Sequence, residues 1–170
     1  MAKKRKVYSA GNTKFLFYGR AVDPTILTPL SKIASQQSAP TGETMKRVKQ
    51  FLYYCVSQED AIITYKKSDM KLAAHRDAGY LNEPKARSRA GGHFYLSNNA
   101  THPANNGAVL NILQIIKAVM SSAADAELSA LYINVREAFY IRIILNAMGH
   151  KQDRTPIQTD NSTAEGSSTT

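Results

Sequence analysis

A run of apolar residues at helical spacing between Ser122 and Gly149, with β-type segments on both sides, most restricts what this chain can fold into. Ser122 is a good N-cap and Asp125 follows three residues later, a capping-box-like pair. Ala124, Leu128, Leu131, Val135 and Ala138 then recur every three or four residues, and Gly149 provides the stop, with His150 and Lys151 beyond it. The spacing predicts one long helix from about Ala123 to Met148, with Leu128 on its core face. A helix of this length needs a sheet or other helices to cover it, and the flanking sequence offers strands.

Upstream, Ala61–Tyr65 is rich in Ile, Thr and Tyr and reads as a first strand. Met70–Ala78, Arg89–Ser97 and Val109–Lys117 read as three more. Asn82-Glu83-Pro84-Lys85 and the polar stretch Asn98–Gly107 are the loops between them, and Gly91-Gly92 marks a bulge or a close approach of backbone. Downstream, Pro156–Asp160 reads as a short strand ending in an acid. Strands, long helix and strand make an α/β domain with a mixed sheet and one long helix, one that looks cut off at its C-terminal end.

Before the strands the pattern is helical. Apolar residues from Phe15 to Ile33 form two short segments around Pro24 and Pro29, and Ser38-Ala39-Pro40-Thr41 marks a turn. Thr44–Val56 places Val48, Phe51, Leu52 and Cys55 on one face, with Lys46, Arg47 and Lys49 facing outward. The reading therefore divides the chain into a basic tail over 1–14, small helices over 15–60, an α/β domain over 61–165 and a polar tail over 166–170.

Charge follows the same division. Of the 22 Lys and Arg against 13 Asp and Glu, 17 basic and 7 acidic residues fall before Gly91, a balance of +10, and 5 against 6 follow, a balance of −1. Clustered Lys and Arg favour a polyanion because binding phosphates releases condensed counterions. Solubility alone also accounts for a high pI. Lys3-Lys4-Arg5-Lys6-Val7 has the composition of a nuclear-import signal, of a phosphate-binding arm, or of a solvated tail. The single cysteine, Cys55, excludes an internal disulfide and a Cys-rich zinc site, and its apolar neighbours make it a small core residue. The most apolar stretch, Ala108–Met120, is short and broken by Asn111, Gln114 and Lys117, so no membrane span is expected. An intracellular location, cytoplasmic or nuclear, fits these features.

Three acids stand where acids are costly without a role. Asp77 lies within a strand, Glu127 in the first turns of the long helix, and Asp160 at a strand end. Carboxylates that converge on one sheet edge repel unless a cation lies between them, and hard oxygen ligands select Mg²⁺ or Mn²⁺. A pair of such ions suits phosphodiester hydrolysis. Taken singly, each acid also fits a turn, helix-dipole or N-cap role.

Four motifs in order carry a resemblance. His75-Arg76-Asp77-Ala78-Gly79-Tyr80, Lys85-Ala86-Arg87-Ser88-Arg89-Ala90-Gly91-Gly92, Ser121-Ser122-Ala123-Ala124-Asp125-Ala126-Glu127-Leu128 and Thr159-Asp160-Asn161 resemble the RNase H region of copia-type long-terminal-repeat retrotransposon polyproteins. The stretch from Phe17 to Tyr54 resembles the C-terminal end of the same family's reverse transcriptase domain, and the likeness spans roughly residues 15–165. It implies an RNase H-like fold and metal-dependent cleavage of the RNA strand of an RNA–DNA hybrid. Asp77, Glu127 and Asp160 would then be catalytic ligands of a two-metal Mg²⁺ or Mn²⁺ site, and Ser88, Arg89 and Asn161 contacts to the hybrid backbone. In an intact element the remainder of the polyprotein would be a partner.

Glu127 is the better match than Asp125, because two positions on a helix are about 200° apart and only one of them faces a site. The departures are the lack of any acid after Glu165, where the family places a fourth acid on a segment beyond the last motif, the absence of a Tyr-x-Asp-Asp polymerase motif, and Arg76, a cation beside Asp77 where the family has a small residue. A cation there competes with metal for the carboxylate. They imply hydrolysis that is weak or lost, and leave a non-catalytic nucleic-acid-binding remnant as the alternative.

Overall fold

In a computed structural model that describes residues 14–58, 60–99 and 101–159, the chain forms two compact units that divide between Ile63 and Thr64. The first is helical. Helix α1 (14–21) leads into a 3-10 turn, Pro24–Ile26, then α2 (Leu27–Ser35) and α3 (Gly42–Ser57). Asp23 caps the turn by accepting from the Thr25 amide at 3.0 Å. Thr41 and Thr44 form a reciprocal capping box on α3, which spares two amides that the helix itself cannot pair. Ile26, Leu30, Ile33 and Phe51 make this unit's core, with Phe15 edge-on to Phe51 at 4.9 Å. Cys55 packs against that core, and burial pushes its thiol above the ordinary value. Leu52, expected on the core face, is exposed.

The second unit is mixed α/β. Strands β1 (Lys71–Glu83), β2 (Arg87–Ser97) and β3 (Ala108–Ile115) form an antiparallel meander, followed by helix α4 (Ala123–Ala147) and the short β4 (Ile157–Gln158). The sheet order is β3-β2-β1-β4, with β4 parallel to β1 and Ile157 opposite Ala74. The long helix returns the chain to β1 for that parallel pairing, as a parallel connection requires. Ser122 caps α4 by accepting from the Asp125 amide at 3.1 Å. Gly149 closes the helix at φ +90°, in the left-handed region that favours glycine.

Strand alternation gives the sheet two different faces. Leu72, Ala74 and Phe94 pack beneath Ala138 and Leu145 of α4, and Ala90 beneath Ala130. On the other face, Tyr95 is fully buried and donates to the Pro103 carbonyl at 3.4 Å, while Ser97 donates to Ala104 at 2.8 Å.

Two expectations are corrected here. Ala61–Tyr65 is not a strand. Tyr65 is held by its hydroxyl to Ala108, and the backbone of Lys66 by the Asn106 side chain, in place of a ladder. The core face of α4 is also turned from the expected one. Ala126, Ala130, Asn134, Ala138 and Leu145 face the sheet, while Leu128 is 64% exposed and Val135 is exposed too. The cause is steric. At Gly92 a Cβ would meet Asn134 Oδ1 at 2.0 Å, so the helix lies against bare backbone with its small residues inward. Gly91-Gly92 is thus a close approach. The β1–β2 register runs unbroken past it.

Candidate functional site

Arg76 and Asp77 are neighbours on β1 and therefore project to opposite faces. Arg76 pairs with Gly92 and faces α4, where its Nη1 donates to the Glu127 carboxylate and, at 3.2 Å, to the Glu127 carbonyl. The two side chains are only 3% and 10% exposed. Asp77 pairs with Gly91 on the other face and is exposed. Arg76 thus competes for Glu127, across the α4 face of the sheet, and not for its neighbour Asp77.

The first turn of α4 keeps its two acids apart. Asp125 accepts from the Ser121 hydroxyl, which holds its carboxyl below the ordinary value, with Ser122 contributing. Glu127 lies two residues on and points inward, as the helical angle requires. Asp160 and Asn161 lie outside the described residues. Among the described residues, no three His, Cys, Asp or Glu side chains are grouped to hold a metal ion. Asp77 and Glu127, on opposite faces, do not fit a shared cation.

Ser88 and Arg89, neighbours on β2, are both buried. Ser88 is fully buried and accepts from the Leu81 amide at 3.2 Å. Arg89 Nε donates to Glu83 at 2.7 Å, a buried ion pair that pins the end of the β1–β2 hairpin. The turn between them is strained, with Lys85 and Ala86 at φ +64° and +52° and no glycine.

Sequence reasoning missed a polar cluster on the outer face. His75 and His93 are cross-strand partners. His75 Nε2 lies 3.1 Å from the Tyr95 hydroxyl, and its ring stacks on that ring at 5.4 Å. Asn111 Oδ1 and Asn105 Oδ1 lie 2.9 and 3.1 Å from the two ring nitrogens of His93. Desolvation by burial, and then the charge of His93, pushes His75 below its ordinary value, while burial pushes Tyr95 up. The alternation His93–Tyr95 was visible in the sequence, but their meeting with His75 depends on the β1–β2 register. Asn134 was missed as well. Its Nδ2 donates to Gly91 at 3.0 Å and Ala130 at 2.8 Å, which ties α4 to β2.

Among the described residues no helix is long and apolar enough to cross a membrane. No protein-family model, curated protein or solved structure matches this chain.

Proposed function

We propose that this chain is an RNase H-like segment of a copia-type retrotransposon polyprotein in which hydrolysis of RNA in RNA–DNA hybrids is weak or absent. The family assignment rests on the four ordered motifs. It is supported by a mixed sheet in which β1, carrying the first motif, lies between β2 and β4 with the start of α4 packed against it. The observation that carries the functional half is the buried Arg76–Glu127 pair. A carboxylate neutralised by a guanidinium is a poor ligand for Mg²⁺ or Mn²⁺, which needs that charge for itself. The test is incubation of the purified protein with a labelled RNA–DNA hybrid and Mg²⁺ or Mn²⁺. Cleavage no faster than in the Asp77→Asn protein supports the reading, and robust cleavage abolished by Asp77→Asn overturns it.

Retained binding without hydrolysis is the second reading, and α3 favours it. Lys46, Arg47 and Lys49 are exposed along one helix, and among the described residues Lys46 and Arg47 form ion pairs only with Glu43, at 3.9 and 3.8 Å. Long contacts of that kind leave the cations available to phosphates.

A further inference from the structure

Helix α4 is apolar on two sides, and the sheet covers one of them. Ala126, Ala130, Asn134, Ala138 and Leu145 face the sheet. Leu128, Tyr132, Val135, Phe139 and Ile143 are between 47% and 67% exposed. At about 100° per residue these five fall within an arc of about 80°, on the opposite side of the helix. No charged residue lies in that arc between Leu128 and Ile143. Tyr140 and Ile144, also exposed, widen the patch along one flank. A helix that is apolar all round is one that is covered all round.

The size of the patch points to the kind of cover. With about 200 Å² for an aromatic side chain and somewhat less for a large aliphatic one, these seven present roughly 800 Å² at their exposures. The largest apolar patch on a monomer is typically about 300–600 Å², whereas one partner of a stable interface contributes about 800 Å². A polyanion gains nothing from a stripe without charge. Residues 1–13 and 160–170 hold only Met1, Val7 and Tyr8 as large apolar side chains, too few to cover seven. A second α4 has the matching length and pattern. Leu128, Tyr132, Val135 and Phe139 are separated by steps of four, three and four residues, the alternation on which two helices interlock side chains along their length.

We propose that this face binds a second copy of the chain, α4 against α4, antiparallel about a two-fold axis near Val135. The same patch then serves on both copies, as a two-fold interface requires. Leu128 of one copy lies opposite Ile143 of the other, and Tyr132 opposite Phe139, so aliphatic meets aliphatic and ring meets ring. Antiparallel packing also sets the two helix dipoles against each other favourably. Arg136, beside the axis, is already paired with Glu137 at 3.1 Å, which offsets the charge brought near its own copy. Glu127 points toward the sheet and takes no part, so the pairing is independent of the hydrolytic reading above.

The experiment is sedimentation equilibrium of the full chain across micromolar concentrations. The expected result is a monomer–dimer equilibrium that Phe139→Glu weakens by roughly a hundredfold or more, since a charge replaces a ring at the centre of the contact. Leu52→Glu, at an exposed apolar position of α3, is the control and keeps the dimer. Association adds to stability only above the dissociation constant, so more dilute samples report the monomer, in which these side chains face water, and there Phe139→Glu melts like wild type. A second measurement does not depend on a charged variant folding. In a Cys55→Ser background, mild oxidation is expected to link Val135→Cys chains into dimers and to leave Leu128→Cys chains single, because antiparallel pairing brings only the central positions together. A wild type that stays monomeric throughout overturns the proposal, and so does a dimer that survives Tyr132→Glu/Phe139→Glu. Linking through Leu128→Cys with none through Val135→Cys overturns the antiparallel arrangement.

Discussion

Replacing Arg76 by methionine keeps most of the side chain's length and apolar stem but removes the charge that faces Glu127. Both partners are almost completely shielded, and the guanidinium makes two hydrogen bonds to the same residue. At about 4 Å and an effective dielectric of about 20, opposite charges attract by roughly 4 kcal/mol. Removing one partner of a buried pair costs about 3–5 kcal/mol, because the other is left uncompensated. With a urea m-value of about 2 kcal/mol/M, that is a fall in midpoint of roughly 1.5–2.5 M. Glu127→Leu is expected to cost a similar amount. The Arg76→Met/Glu127→Leu double variant is expected near wild type, since apolar replacement of a whole buried pair is often neutral or stabilising. The assay is urea unfolding followed through β1 amide resonances, so that the helical unit does not enter the signal. Single variants within about 0.5 kcal/mol of wild type, or a double variant equal to the sum of the singles, would refute the buried pair.

Gly92→Ala is expected to lose about 1–3 kcal/mol, because its Cβ would strike Asn134, whereas Gly91→Ala has ordinary room at 3.7 Å and is expected to unfold near wild type. Leu128→Ser and Phe139→Ser, on the 64% and 60% exposed side of α4, are expected to change stability by less than about 0.5 kcal/mol, against about 3–5 for Phe94→Ala in the same denaturation series. His75 is pushed down in the folded state, so the unfolded chain takes up that proton first as pH falls. Stability from this group is present above its ordinary value of 6.5 and is lost as pH falls below it. Urea midpoints of wild type and His75→Gln at about pH 8 and about pH 5.5 are expected to converge at the lower pH, and a gap that widens there would contradict this.

Much of the architecture was legible in the sequence. The long helix ends within a residue or two of the expected Ala123–Met148, because Ser122 and Gly149 are strong local signals. Three of the expected strands, over residues 70–78, 89–97 and 109–117, overlap β1, β2 and β3, and β4 falls within Pro156–Asp160. The face of α4 was not legible. Large apolar residues occupy its outer side, so period alone selects no face, and the deciding contact, Asn134 on Gly92, is tertiary. Ala61–Tyr65 has strand composition but gains no pairing partner, and composition does not supply one. Around the candidate site, the sequence showed Arg76 as an intruding charge and singled out Glu127 over Asp125. It could not show that Arg76 turns away from Asp77 toward Glu127, since that depends on which face of β1 receives the helix.

The loss of hydrolysis turns on whether the Arg76–Glu127 pair keeps Glu127 from serving a metal. The most direct measurement is the initial rate of RNA–DNA hybrid cleavage in Mn²⁺ by the wild-type protein, set beside Arg76→Ser, which takes the guanidinium away from Glu127. The expected wild-type rate is at the level of the Asp77→Asn background, with any gain confined to Arg76→Ser. A wild-type rate well above that background, and lost in Glu127→Gln, would contradict it.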